Sequence, residues 1–252
     1  MKYPSKKTES YIYGIRSVIE AINAGRELNK IMIQKGMNKE LFLELKNALH
    51  KKDYPLQFVP QIKLDSMTDG NHQGVIAIAS PIEYQNLETL ADQWLTEGKT
   101  PCFLILDRIT DVRNLGAIAR SAFCQDVDAI VIPSKGSATV TADAIKTSAG
   151  ALNSIPVCKV SHIKEALFYL QQSGVKLVSC TEKARKCIYD ADLTGAIGIL
   201  MGSEEDGISN ELLRMTDDQV KIPMYGTVKS LNVSVSAGII LYERSRQNLI
   251  SK

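Results

Sequence analysis

Histidine and tryptophan are scarce in this 252-residue chain, at three copies and one, and the three scattered histidines speak against a structural zinc site. Cysteine is sparse and odd in number. Cys102, Cys124, Cys158, Cys180 and Cys187 form no CxxC pair, which removes the usual redox and metal spacings. Four of the five lie in apolar surroundings, so buried reduced thiols are expected. No charge of one sign dominates: 30 Lys and Arg against 28 Asp and Glu give +2, which neither demands nor excludes nucleic acid. No apolar run approaches membrane-spanning length, and the opening MKYPSKKTES precedes no signal-type apolar core. A cytoplasmic setting without a membrane or metal partner is expected. What is present is the balance of an ordinary globular protein, 44% apolar and 23% charged, enough for one large domain or two small ones.

The chain reads as two α/β stretches. Apolar periodicity predicts helices over residues 11–24 and 39–49 and a short one over 61–67, with strands at 30–34, 56–59 and 74–79. A linker-like stretch at 81–86 and a helix at 88–95 follow. The expected division is an N-terminal domain over 1–80, a linker over 81–100 and a C-terminal domain over 101–252. From residue 102, short apolar runs (CFLILD, AIVIP, VCKV, KLVSC, AIGILMG, VKIPM) alternate with helical segments. Runs without polar alternation suit strands buried on both faces of a parallel sheet. Helices are predicted over 115–124, 142–149, 162–172, 210–215 and 231–248.

Three polar clusters fall where those strands end, and open α/β sheets bind ligands at the carboxyl ends of their strands. The first runs from Asp107 to Arg120, and either Asp111 or Asn114 could cap its helix. Arg120, six residues past Asn114, could share a side of that helix with it. The second, Gly202-Ser203-Glu204-Glu205-Asp206-Gly207-Ile208-Ser209, has P-loop glycine spacing, but Ile208 stands where lysine is needed. Three adjacent carboxylates would also repel a triphosphate, so nucleotide hydrolysis is excluded. The third, Ile222 to Gly238, takes an apolar strand through Pro223 and Gly226 into a helix studded with Ser and Asn. Hydroxyl and amide groups at such a junction can hold a ligand.

In this order the clusters resemble the three motifs of the SpoU (TrmH) family of RNA ribose 2′-O-methyltransferases: N-x-G-A-x-x-R, G-x-E-x-x-G and I-P-M-x-G-x-x-x-S-L-N-V-S-V-A. The chain supplies Asn114 to Arg120, Gly202 to Gly207, and Ile222 to Ala237, with Ser236 where alanine is usual. Tyr13-Gly14-Ile15 and His72-Gln73-Gly74 resemble the substrate-binding domain of the branch that methylates a guanosine of 23S ribosomal RNA. The branch usually carries Asp-Pro-His-Asn where this chain has Asp111-Val112-Arg113-Asn114, and Arg113 could touch phosphate.

The resemblance implies a C-terminal parallel-sheet domain with a trefoil knot (SPOUT fold), a small N-terminal α/β domain that binds RNA, and a homodimer. It implies S-adenosylmethionine as cofactor and 23S ribosomal RNA as substrate, with transfer RNA as the alternative. Arg120 is then the acceptor-side catalytic group, oriented with the nucleotide by Asn114, Glu204, Ser230 and Asn232. Gly202, Ile222 and Leu231 would cradle the adenosine, with Thr181 at the end of KLVSC as a further candidate. His72 is a candidate RNA contact, and Lys35, Lys39, Lys46, Lys51 and Lys52 make the N-terminal part locally basic.

Two readings from other classes compete. A nicotinamide dehydrogenase shares the coarse pattern but needs G-x-G-x-x-G and an acidic ribose reader, both missing. A non-catalytic ribosomal-RNA-binding protein would have no use for Glu204 beside a cofactor cavity.

Overall fold

The computed structural model describes residues 10–50, 54–227 and 230–250. Lys51, Lys52, Val228 and Lys229 therefore lie outside the described residues. Contacts divide the chain into two units, one running to Glu83 with Thr139–Ala142, the other comprising Tyr84–Ala138 and Asp143 onward.

The first unit runs β1 (Tyr11–Tyr13), α1 (Ile15–Asn23), β2 (Leu28–Gln34), α2 (Lys39–Leu49), β3 (Leu56–Val59), α3 (Gln61–Asp65) and β4 (Val75–Ala79). Its sheet has the order β1-β4-β2-β3, antiparallel except for the β2–β3 pair. The helix expected from residue 11 begins only at Ile15. Tyr11, Ile12 and Tyr13 instead pair with Ile78, Ala77 and Ile76, and Gly14 at φ 89° ends the strand where a side chain would strain the backbone. Ile15, Val18 and Ile22 of α1 and Leu45 of α2 pack on Leu28, Ile31, Ile33, Val75 and Ala77, the residues of one sheet face. Met32, Val59, Leu64 and Ile76 close the other face.

His72, a candidate RNA contact, is buried. Its Nδ1 accepts from the Gly74 amide at 2.9 Å and its Nε2 lies 2.8 Å from Asp65 Oδ1. Nδ1 is therefore bare and Nε2 carries the proton it donates. The neighbouring Gln73 accepts the otherwise unpaired Ile15 amide on Oε1 at 3.1 Å. The two stretches picked out by resemblance thus meet as one folded corner.

The second unit contains α4 (Leu87–Thr96), β5 (Cys102–Leu106), α5 (Val112–Cys124), β6 (Ala129–Pro133), α6 (Ala142–Thr147), β7 (Val157–Val160), α7 (Ile163–Gln172), β8 (Lys176–Cys180), β9 (Lys186–Cys187), β10 (Ile197–Met201), α8 (Asn210–Leu213), β11 (Asp218–Lys221) and α9 (Val233–Ile250). Its seven strands are all parallel, in the order β7-β6-β5-β10-β8-β11-β9. Every residue of β5, β6 and β10 is buried, as the unbroken apolar runs require. Burying each large side chain such as Phe103, Leu104 or Ile105 contributes roughly 1.5–3 kcal/mol. Inside the stretch expected as linker, α4 seats Leu87 and Ala91 in this core and sets Trp94 against Phe103, ring centroids 5.9 Å apart.

Three boundary differences bear on the site, each with a local reason. Helix α5 starts at Val112 because Asp111, not Asn114, caps it by accepting the Arg113 amide at 2.6 Å. Strand β11 stops at Lys221, before Pro223, which has no N–H for a ladder. Helix α9 starts at Val233, leaving Ser230, Leu231 and Asn232 in the preceding loop. Desolvation pushes the thiols of Cys102, Cys158 and Cys180 up to about 12, so they stay protonated, and all five cysteines are free. Cys124 is exposed, and Cys180 and Cys187 are only half-buried by surface exposure, against the expectation of four thiols in apolar surroundings.

Candidate active site

Strands β5, β10, β8 and β11 are neighbours in the sheet and parallel, so their carboxyl ends share one edge. Thr181 follows β8, Gly202 follows β10, Ile222 follows β11, and Asp107 to Asn114 follow β5. Clusters more than a hundred residues apart in sequence are thereby brought to one place.

Three side chains expected at the site form a closed triangle. Asn232 Nδ2 donates to Asn114 Oδ1 at 3.1 Å and to Glu204 Oε1 at 2.7 Å, and Asn114 Nδ2 donates to the same Glu204 oxygen at 2.6 Å. Asn232 is held by its other end, where Oδ1 accepts the Ser234 amide at 2.9 Å as the cap of α9. Because Asp111 caps α5, the Asn114 amide is free to join the triangle. Both hydrogens of the Asn232 amide are used, and the donor–acceptor pattern fixes the orientation of both amides.

Arg120 does not join them. Six residues of helix turn about 600° and rise about 9 Å, so Arg120 points about 120° away from Asn114. The expectation that the two share a side of α5 is therefore corrected. Arg120 is exposed and makes no hydrogen bond or ion pair among the described residues.

Beside the triangle lies a cavity of about 390 Å³, within the range of about 300–1,000 Å³ usual for small-molecule sites. Thr181, Gly202, Ile222, Ser230 and Leu231 all line it, as does Ser236 of the third cluster. Thr181 is buried, and its hydroxyl accepts the Lys183 amide at 3.4 Å within its own turn. Ile222, Met224 and Leu231 offer apolar wall, while Glu182, Glu204, Glu205 and Asp206 outnumber Lys183, the single cation lining it among the described residues. Such a wall suits a ligand with a flat apolar part and a positive charge, and opposes a polyphosphate. S-adenosylmethionine, with an adenine, a sulfonium and an ammonium, has that chemistry. Among the described residues no group of three His, Cys, Asp or Glu side chains is arranged to hold a metal, and no helix is long and apolar enough to cross a membrane.

The loop carrying Glu204 is tightly folded. Gly207 N donates to Ser203 O at 3.0 Å and Asp206 N to Ser203 Oγ at 3.1 Å. A Cβ on Gly202 would lie 2.2 Å from the Gly207 carbonyl carbon, so only glycine fits there. Sequence reasoning passed over Arg108. Its guanidinium donates to Asp107 Oδ2 at 3.2 Å, Asp206 Oδ2 at 3.1 Å and Gly207 O at 3.1 Å. Nothing in residue type or spacing announces that contact, because its φ of 56° is not a conformation expected of arginine.

Comparison with known proteins agrees with this geometry. The SpoU rRNA Methylase family matches residues 101–242, and the RNA 2′-O ribose methyltransferase substrate binding family matches residues 11–85. The chain belongs to the SpoU rRNA methylase family. Among SpoU relatives, the 23S rRNA (guanosine-2′-O-)-methyltransferase of Vibrio vulnificus is 36% identical over 247 residues, 97% of this chain and 100% of that protein. A putative TrmH family tRNA/rRNA methyltransferase of Staphylococcus epidermidis is 36% identical over 244 residues, 96% of this chain and 98% of that one. A solved RNA 2′-O ribose methyltransferase matches with a TM-score of 0.57 at 28% identity, covering 96% of this chain and 90% of that one. The SpoU methyltransferase AviRb of Streptomyces viridochromogenes, solved with S-adenosylmethionine, shares the fold at TM-score 0.61, with 23% identity and 96% and 92% coverage.

Proposed function

We propose that this SpoU protein methylates the ribose 2′-hydroxyl of a guanosine in 23S ribosomal RNA, in the cytoplasm, as a homodimer. The Asn114–Glu204–Asn232 triangle beside the 390 Å³ cavity carries the reading, supported by the full-length similarity to a 23S guanosine methyltransferase. The trefoil knot implied by the resemblance belongs to the same reading.

When bound, S-adenosylmethionine supplies an electrophilic methyl group and leaves as S-adenosylhomocysteine. Thr181, Gly202, Ile222 and Leu231 would hold the adenosine through backbone groups and apolar contact. Glu204 and the two asparagines would fix the wall between donor and acceptor. Positioning of this kind can supply roughly 7–11 kcal/mol of the barrier. Arg120, on the acceptor side, would pin a phosphate and stabilise developing oxyanion charge. Ser230, exposed at the cavity, would order the acceptor ribose.

The test is transfer of labelled methyl to unmodified large-subunit RNA. The expected product is an alkali-resistant dinucleotide containing guanosine. Label on a base would defeat the reading, and label on transfer RNA alone would move the substrate.

The dimer is read from an open apolar groove between α5 and α9. Ala117, Ser121, Gly238 and Ile239 form its floor, and Val235 and Tyr242 on its rim are 49% and 65% exposed. Arg120 is on the helix that forms this groove and is turned from its own triangle, so the reading assigns it to the partner's acceptor site. Light scattering should give a dimer, and Tyr242→Glu should yield inactive monomers. A stable, active monomer would overturn the assignment.

A further inference from the structure

We infer that Arg108 is a positioning residue for the methyl-donor cavity, an inference that rests on the reading above. Its guanidinium fixes the loop from Ser203 to Gly207, and with it the Glu204 carboxylate.

The chain leaves β5 with its register intact for one more residue, since Asp107 N donates to Met201 O of β10 at 2.8 Å. It then turns at Arg108 through a φ of 56°, in the left-handed region that a long side chain seldom adopts. The turn is underpinned from below. Ala138 N and Ser137 Oγ donate to the Ile109 carbonyl at 2.7 and 2.9 Å. A strained arginine is explained by core packing only if its side chain is buried, and this one is 37% exposed. What the turn achieves is direction. It sends the guanidinium across to the neighbouring loop, where Nη1 reaches Asp206 Oδ2 and Nη2 reaches the Gly207 carbonyl, while Nε stays on the buried Asp107 carboxylate. Strain held in place by such surrounding contacts is a mark of functional sites.

The loop so fastened is a shared wall. Ser203, Glu204, Glu205 and Asp206 line the 390 Å³ cavity on one side and, on the other, a cavity of about 210 Å³ that Arg108 and Asn114 also line. One corner of the wall is tied by the two asparagines at Glu204, and the opposite corner by Arg108 at Asp206 and Gly207. With the second tie removed, the wall keeps its tie at Glu204 and its internal bonds to Ser203, but nothing among the described residues holds its Asp206 corner to β5. Lysine could reach one of the three acceptors but not fork across them.

The experiment compares wild type, Arg108→Gly, Arg108→Lys and Asp206→Asn for S-adenosylhomocysteine affinity by calorimetry, with thermal midpoints and steady-state constants alongside. Arg108→Gly should weaken binding by about tenfold and Asp206→Asn by about threefold, since charge-assisted bonds are lost in a partly exposed setting. Arg108→Lys should fall between wild type and Arg108→Gly. The KM for the methyl donor should rise. Glycine also relieves the left-handed backbone, so the midpoint should move far less than the affinity.

A midpoint that falls while affinity stays within about twofold of wild type would make Arg108 a stability residue only and overturn the inference. Should Arg108→Gly not fold, Asp206→Asn decides alone: its carboxylate is 73% exposed, and unchanged affinity there overturns the inference too. Failure of the wild-type protein to bind S-adenosylhomocysteine would instead remove the proposed function itself.

Discussion

Arg120→Ala is expected to abolish methyl transfer while leaving cofactor affinity and stability close to wild type. The two halves of that expectation have separate grounds. Arg120 is exposed on α5 and makes no hydrogen bond or ion pair among the described residues, so its removal takes no contact from the fold. Exposed substitutions of that kind usually stay within about 0.5 kcal/mol. Nor does it line the cofactor cavity. Its proposed work is confined to the transition state, where a guanidinium facing developing oxyanion charge is worth about 3 kcal/mol or more, a loss of over a hundredfold in kcat. Calorimetry with S-adenosylhomocysteine and single-turnover methylation of RNA separate the two quantities. Near-normal turnover would remove Arg120 from the mechanism. A parallel loss of cofactor binding would move it to the other side of the site.

Gly202→Ala should be the most damaging small change in the second unit. The added methyl carbon would sit 2.2 Å from the Gly207 carbonyl carbon and 2.3 Å from the Ile208 nitrogen. Both are backbone atoms, so no rotamer change makes room and the loop must lift from the end of β10. Overpacking of this kind costs about 1–3 kcal/mol or more. Lifting the loop also breaks the reach of Asn114 and Asn232 to Glu204, so cofactor affinity should fall by about tenfold or more. Gly207→Ala supplies an internal comparison. Its Cβ would meet nothing within 4 Å, and only its φ of 67° resists, so the stability loss should be about 1 kcal/mol. Denaturant midpoints of the two variants test the ranking. Equal losses would mean that crowding at Gly202 is relieved without consequence.

How much of this was visible in the residues depends on the kind of information needed. Strands β5, β6 and β10 announce themselves because a strand buried on both faces must be apolar throughout. Helix α2 emerges with its expected bounds because apolar spacing and the Asn38 cap agree. Strand β1 was missed because three residues with a half-buried pattern carry no period, and they were absorbed into the helix that follows. β9, of two residues, has even less signal. Sheet order is another matter. That β10 inserts between β5 and β8 is a property of crossovers, which residue patterns do not record.

At the site, Asn114, Glu204, Ser230 and Asn232 stand in polar clusters at strand ends, whereas their roles, and the choice of Gly202, Ile222 and Leu231, rest on the family resemblance. The direction of Arg120 was readable from helical rotation and was misjudged by counting turns without angle. Arg108 was not readable at all, since its contacts depend on a backbone conformation that arginine seldom takes. His72 shows the converse. A polar residue in a turn invited a ligand, and the fold uses it internally.

The Asn232–Asn114 hydrogen bond joins residues 118 positions apart. Proteins with such distant pairings fold slowly, because the intervening loop must close before any contact rewards it. During synthesis all of β5 to β11 can leave the ribosome before the residue that completes the triangle is available. A nascent chain halted before Asn232 would carry every strand of the seven-stranded sheet and still lack the Asn114–Glu204–Asn232 triangle.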